Sequence, residues 1–407
     1  MKKVLVLAIT ILIAGLIVAC QTVTDSPVVI SKIYTSSDQE NNVIELYNPS
    51  DASVDLSTHT IRFYTNGSRE VSQSISLTGT IDANAYYVIG SKDHDNASVK
   101  ALFDYVYETG PLPYNGNDAM ELAVSNNAVD LVGDIGLDFM YSYNVTLIRL
   151  GEKDSYENTQ TYNAFNFIAY LPDQYQYLKN DTHEIKTLEQ LYSGPRLETR
   201  YLEELPYVSS TNSTTGGGGA VETTVQSIAD GDTAFFRSAG GFAGGSVRYF
   251  YLNTPEVNGS NVSAEPWGYV ASKYNKQYLL NEEPEKVIHI QSIPGYSLTE
   301  GYGRNLGLVW VNGHLSQFMI VAEGLSEDVS LTYQEYDLLL SYKNVPYLTF
   351  MRFAENRAKV NGWATKGYPS NPNGEKSPDW NYSANGGVGA LATTTPNWEP
   401  KLTIPWK

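Results

Sequence analysis

From Val28 to about Thr182, apolar and polar residues alternate in short runs broken by turn residues, with little helical period. Val28–Tyr34, Val43–Tyr47, Thr60–Tyr64, Ala85–Ile89 and Ala128–Val132 read as strands, and Asn48–Asp51, Thr65–Ser68 and Asn115–Asp118 as turns. Many short strands at this spacing predict a β-sandwich. After residue 220 the pattern changes. Val225–Ile228, Ala234–Arg237, Val247–Leu252, Val287–Ile290 and Leu306–Val311 read as strands, but helical periods now lie between them. Pro266 opens a helix with Trp267, Val270, Ala271, Tyr274 and Tyr278 on one face. Leu315–Gly324 reads as a short helix closed by glycine, and a last helix from Pro346 aligns Leu348, Met351, Ala354 and Ala358. Five strands with about three helices predict a small barrel of the OB type. The fold class expected is mainly β, in two domains.

The chain of 407 residues is parsed accordingly: an apolar leader at 1–20, a sandwich at 28–182, a linker at 183–219, a barrel domain at 220–366 and a tail at 367–407. The linker includes a possible helical stretch around Leu188–Tyr192. It ends in seven Ser, Thr and Asn residues, Ser209–Thr215, and four glycines, Gly216–Gly219, a composition that predicts flexibility. The tail is rich in Pro, Asn and Gly. Its Trp380, Trp398 and Trp406 either pin it to the barrel or leave it disordered.

Cys20 is the only cysteine, which excludes an intramolecular disulfide and any Cys-based zinc or redox site. Its position is informative. Lys2 and Lys3 precede an uncharged apolar run of 16 residues, Val4–Ala19, which stops at Ile17-Val18-Ala19-Cys20. This resembles the lipobox of bacterial lipoproteins, in which the cysteine is lipidated and becomes the new N-terminus. An ordinary signal peptide and a short uncleaved anchor are the alternatives, the run being shorter than the roughly 20 residues of a spanning helix. The resemblance implies an extracytoplasmic protein, lipid-anchored to a bacterial membrane through Cys20.

The formal charge of −18 argues at first against a polyanion partner. Its distribution changes that inference. Residues 21–182 carry 8 Lys and Arg against 22 Asp and Glu, whereas residues 221–366 carry 11 against 15. The acidity belongs mostly to the sandwich and does not veto a phosphate-binding cleft in the second half.

In that half, Asp232 and Asn253 each end a strand and Thr254 adds a main-chain carbonyl, hard oxygen donors of the kind calcium accepts. Arg248 lies five residues before Asn253, and Glu256 three after it. Two arginines, Arg248 and Arg304, suit phosphoryl chemistry, because guanidinium forks match phosphate oxygens and stabilise charge on a five-coordinate phosphorus. A carboxylate such as Glu256 orients or deprotonates the attacking water. Together these describe metal-assisted phosphodiester hydrolysis. The five histidines lack metal-ligand spacing, no Walker-type loop occurs, and Asp118, Asp130 and Asp134 of the sandwich read as turn formers.

Two segments resemble known families. Ile44-Glu45-Leu46-Tyr47-Asn48-Pro49, Val54-Asp55-Leu56, Tyr86-Tyr87-Val88-Ile89, Tyr114–Asp118 and Val129–Gly133 resemble the lamin-tail domain, an immunoglobulin-like sandwich. Ile228–Thr233, Val247–Glu256, Glu265–Gly268, Tyr302-Gly303-Arg304 and Ala354–Ala358 resemble, in order, the thermonuclease family of calcium-dependent nucleases built on an OB-fold barrel. That resemblance implies catalytic roles for Arg248, Glu256 and Arg304, Ca2+ ligation by Asp232 and Thr254, and a nucleotide-phosphate contact for Tyr302. Asn253 departs from it, standing where the family has an aspartate ligand; an amide oxygen still coordinates calcium but with one charge fewer. Gly301 also departs, from a lysine. The expectation is a surface lipoprotein that hydrolyses DNA or RNA with calcium, its lamin-tail-like domain free to bind an unknown ligand. The alternative is a catalytically weakened nucleic-acid-binding or adhesion lipoprotein.

Overall fold

A computed structural model describes residues 26–208, 216–257, 265, 267–280, 286–329, 338–367 and 400–402. Cys20, Ser209–Thr215, Pro266 and the three tail tryptophans lie outside the described residues. Among the described residues no helix is long and apolar enough to cross a membrane.

The N-terminal half is a sandwich of two sheets. One has six strands, in the order Phe167–Tyr170, Val145–Arg149, Val29–Thr35, Val43–Tyr47, Tyr86–Ser91 and Tyr105–Tyr107; the other has four, Asn127–Val132, Ala119–Val124, His59–Tyr64 and Gln73–Ser76. Ile33, Ile44, Leu46, Ile61, Phe63, Met120, Leu122 and Leu147 fill the core. Ala119–Val124 was not among the predicted strands, since Ala, Met, Glu and Leu favour helix. Every residue of it is buried between neighbouring strands, so the tertiary setting overrides local preference. Asp130 forms no turn: its carboxylate accepts from the main-chain N–H of Ile30 and Thr159 and pairs with buried Arg149. Asp118 accepts from the N–H of Asn66 and Asn115, which ties down a turn as expected.

The barrel sheet runs Ala220–Thr223, Ile288–Gln291, Asn305–Val311, Gly245–Tyr249, Thr233–Phe236 and Val225–Ile228. The first and last of these are consecutive in the chain, separated only by Thr224, so one bent strand pairs at both edges and closes the sheet. Three helices cover it: Gly268–Leu280, Ser316–Ala322 and Tyr347–Val360. Trp267, Val270, Ala271, Tyr274 and Tyr278 are all buried, as are Leu348, Met351, Ala354 and Ala358. The helical faces therefore follow the predicted periods.

The segment expected to be a tether is packed for most of its described length. Leu188–Tyr192 is a helix with a capping box from Thr187 and Gln190, and Arg200–Glu203 is another turn of helix that buries Tyr201. The Tyr201 hydroxyl donates to the Ser341 carbonyl at 2.9 Å. Gly216, Gly218 and Gly219 are buried, and the N–H of Gly218 donates to Ser292 Oγ at 3.1 Å. Glycine here permits close main-chain approach: a Cβ on Gly219 would lie 2.1 Å from the Leu205 carbonyl oxygen. The two halves also touch directly. The Leu171 N–H donates to the Asn344 carbonyl at 2.8 Å, Thr349 Oγ1 donates to the Ala169 carbonyl at 3.0 Å, and Phe165 meets Phe353 edge to face. The edge strand Phe167–Tyr170 thus rests on the last helix of the barrel domain.

Candidate active site

Sheet register gathers the polar residues of the barrel. Thr233 stands opposite Arg248 across an antiparallel pair, and Arg248 stands opposite Leu306 across the parallel pair of Gly245–Tyr249 with Asn305–Val311. Arg304 immediately precedes that parallel strand, so both arginines reach the same end of the barrel. Arg304 Nη1 lies 3.5 Å from Thr233 Oγ1. The chain then leaves Tyr249 through the loop that carries Asn253, Thr254 and Glu256 past the same end.

Asp232 is the hub. Its side chain is 3% exposed, and its oxygens are fully engaged. Oδ2 accepts from the Thr254 N–H at 2.7 Å and from Thr254 Oγ1 at 3.1 Å; Oδ1 accepts from Thr233 Oγ1 and pairs with Arg248. A second Arg248 nitrogen donates to Asn253 Oδ1, and Asn253 Nδ2 in turn donates to Glu327. Arg304 is held from the other side by Glu300, whose Oε1 accepts from Arg304 Nε at 3.0 Å.

The charges perturb one another. Burial lowers the Arg248 pKa and the like charge of Arg304 lowers it further, against the pull of Asp230, Glu256 and Glu300. The Glu256 carboxyl is pushed above the usual range, by burial and by Asp230, with Arg248 and Arg304 opposing. Asp230 is raised by burial against the same two arginines. Glu300 is held low, burial being outweighed by its hydrogen bonds from Arg304. Such mutual perturbation in a cleft marks a functional-site candidate.

An open cleft of about 410 Å³ lies here, lined among others by Arg248, Asn253, Glu300, Arg304 and Asp328. Of the expected residues, Arg248, Asn253 and Arg304 line it. Asp232 and Thr254 sit beneath it as the buried support. Glu256 lies outside that lining and is linked to it by charge; its N–H donates to Glu265 Oε2 at 2.8 Å. Tyr302 projects into solvent with 89% of its surface exposed, 5.8 Å from the Arg304 guanidinium. The residues not singled out from sequence are Asp230, Glu300, Glu327 and Asp328. Asp230 was visible as half of Asp-Gly-Asp. Glu327 carries no local signal, because it reaches Asn253 across 74 residues of chain. The five histidines, which lack metal-ligand spacing, are mostly withdrawn from solvent, and burial lowers the pKa of all five.

Whether this site suits a hard cation follows from its donor set. Asp232 Oδ1 and Asn253 Oδ1 converge on one guanidinium, so the two oxygens already share a positive group. Both are hard oxygen donors, and Thr254 meets the same Asp232 carboxylate through its N–H and Oγ1. Among the described residues no three His, Cys, Asp or Glu side chains come together as a metal cluster. A cation held by Asp232 and Asn253 would meet one carboxylate and one neutral amide oxygen, donors of the kind calcium accepts.

Comparison with known proteins agrees with the two-part architecture. The family model described as Lamin Tail Domain matches residues 21–136, and the one described as Staphylococcal nuclease homologue matches residues 246–346. Asp232 precedes the second match, yet the structure ties it to Arg248 inside it. Endonuclease YncB of Bacillus subtilis (strain 168) is 31% identical over 129 residues, 31% of this chain and 54% of that protein. The SPbeta prophage-derived endonuclease YokF of the same organism is 30% identical over 151 residues, 36% and 46% respectively. A thermonuclease of Staphylococcus intermedius is 28% identical over 102 residues, 25% and 56%. The chain thus spans about half the length of the curated relatives it matches. The N-terminal half is thus similar to the lamin tail domain over residues 21–136 and the C-terminal half to staphylococcal nuclease homologues over residues 246–346.

Proposed function

We propose that this protein is a calcium-assisted nuclease that cleaves phosphodiester bonds of DNA or RNA at the open end of its barrel. The observation that carries the reading is the convergence of Arg248, Asn253 and Arg304 on one cleft, above the buried Asp232 that pairs with Arg248, with Glu256 coupled to it by charge. Arg248 and Arg304 hold phosphate oxygens and stabilise the charge that builds on them. Glu256, its carboxyl pushed above the usual range by burial and by Asp230, orients the attacking water and accepts its proton. Tyr302, at the rim, contacts the nucleotide. Asp232, Asn253 and the Thr254 carbonyl would hold the calcium ion. When bound, calcium polarises the phosphate as a Lewis acid. Arg248 engages Asp232 Oδ1 and Asn253 Oδ1, two of the oxygens that would hold such a cation.

The Cys20 segment supports a lipid anchor on the outer face of a bacterial membrane, an address suited to scavenging extracellular nucleic acid. The sandwich stands between anchor and catalytic cleft.

Purified protein lacking the leader, supplied with calcium, is expected to cut single-stranded DNA or RNA, and Arg304→Ala and Glu256→Ala to abolish cutting. Cleavage that survives both substitutions would reject the assignment. Binding without cleavage in the parent would favour a nucleic-acid-binding protein that keeps the barrel, a reading that rests on the single carboxylate of the cation site.

A further inference from the structure

The Asn253 side chain sits between two partners of opposite character. On one side Arg248, which can only donate hydrogen bonds, faces its Oδ1; on the other the Glu327 carboxylate, which when ionised can only accept, faces its Nδ2. A flipped amide would set NH2 against guanidinium and carbonyl against carboxylate, two repulsions at hydrogen-bonding distance. The orientation is therefore fixed by chemistry rather than by choice of atom labels. The loop that brings Glu327 in is anchored independently of this side chain. Its N–H donates to the Asn253 carbonyl at 2.7 Å, and its carbonyl accepts from buried Lys366 at 2.7 Å.

We infer that Glu327 is a positioning residue: it holds the Asn253 amide nitrogen so that the amide oxygen stays turned to the Asp232 carboxylate, ready for a cation when Arg248 leaves. The inference rests on the nuclease reading for the cation's role. Both Arg248 and Glu327 orient the amide; once Arg248 turns to phosphate, Glu327 alone does so. An outer partner that orients a ligand in this way is the usual companion of a metal site. It also explains how a neutral amide serves here: rotation is suppressed, so its single useful oxygen is not lost half of the time.

The same geometry makes an unusual statement about substituting Asn253. An aspartate there would press a carboxylate against Glu327, so the gain in ligand charge is offset by repulsion from its neighbour.

Calcium affinity of the folded protein, measured by isothermal titration calorimetry without nucleic acid, tests this directly. Glu327→Ala is expected to weaken calcium binding about tenfold, the lower end of what loss of an outer-shell partner costs a metal site. Glu327→Gln, whose amide oxygen still accepts from Asn253, is expected to stay much nearer the parent. Asn253→Asp alone is expected to bind no more tightly than the parent, and Asn253→Asp combined with Glu327→Gln to bind more tightly than either. Circular dichroism and melting temperature confirm folding, which the main-chain anchors of residue 327 preserve. Parent-like affinity in Glu327→Ala, equal losses in the Ala and Gln variants, or tighter binding by Asn253→Asp alone would each overturn the inference while leaving the nuclease reading intact. A parent that binds no calcium and cuts no nucleic acid would overturn both.

Discussion

Each half of the molecule withdraws ion pairs from water, but to different ends. In the sandwich, Lys32 with Glu45 and Arg149 with Asp130 are shut away, their side chains at most 4% exposed. Further fixed partners hold them: Lys32 also donates to the Asn180 carbonyl, Glu45 accepts from the Lys179 N–H, and Arg149 donates to the carbonyls of Ile30 and Glu157. In the barrel, Arg248 pairs with Asp232 at the wall of an open cleft, and Arg304 with Glu300 is one-third exposed. The closed pairs have nowhere to go. The open ones can exchange a protein partner for a ligand, and this is what separates a structural pair from a working one. Burial alone does not decide the matter, since Asp232 is as buried as Asp130; access to the partner cation does.

Breaking a closed pair should have the largest effect. Arg149→Met leaves Asp130 buried without its counter-charge, and a loss of about 3–5 kcal/mol is expected in the urea unfolding of the sandwich. Cleavage per folded molecule should not change. Next, Arg304→Ala should take cleavage below detection, a fall of at least about 10²–10³ in rate, while moving stability by less than about 1 kcal/mol, because its protein partner is an accessible carboxylate. The two variants thus exchange roles: one unfolds and one inactivates. If Arg149→Met proves mild and Arg304→Ala unfolds the barrel, the distinction collapses.

A third effect is smaller per group. Burial holds all five histidines neutral, with His183 and His314 pushed down to about 4. A histidine whose folded pKa is depressed binds its proton more readily once unfolded. Its contribution is complete above about pH 6.5 and is lost as pH falls toward the folded value, by at most about 1.4 kcal/mol per pH unit for each group. Melting temperature should therefore fall between pH 6.5 and 4, and His183→Gln should flatten the profile of the N-terminal half; a profile flat across this window would contradict the burial. Least of all, Glu300→Gln frees Arg304 from a partly exposed pair worth about 0.5 kcal/mol and should lower KM for nucleic acid by about twofold. A raised KM would mean that Glu300 orients Arg304 rather than competing for it.

Much of this was legible in the sequence, for identifiable reasons. Trp267, Val270 and Tyr274 are periodic, so the helical face could be read directly. Asn253-Thr254 follows Arg248 closely enough that one strand and its exit loop position them together. The packing of residues 183–208 was not legible, because two isolated short turns of helix, Leu188–Tyr192 and Arg200–Glu203, give no sustained period. Nor was the partnership of Asp232 with Arg248: strand register places Thr233 opposite that arginine and so brings the preceding Asp232 beside it, and no local pattern states that register. Glu327 was the least accessible. It arrives after the helix Ser316–Ala322, in a loop whose course is set by that helix packing on the barrel and by Lys366 binding its carbonyl.

The central claim is that the open end of the barrel is a cation-assisted nuclease site, and one measurement meets it squarely. Purified protein lacking the leader is incubated with end-labelled single-stranded DNA and RNA over calcium concentrations from micromolar to tens of millimolar, with a chelator control. The account predicts cleavage that rises with calcium, saturates only at high concentration because one carboxylate serves the site, and vanishes with chelator and in Arg304→Ala. Intact substrate at every calcium concentration, or cleavage indifferent to chelator and to Arg304, would contradict it.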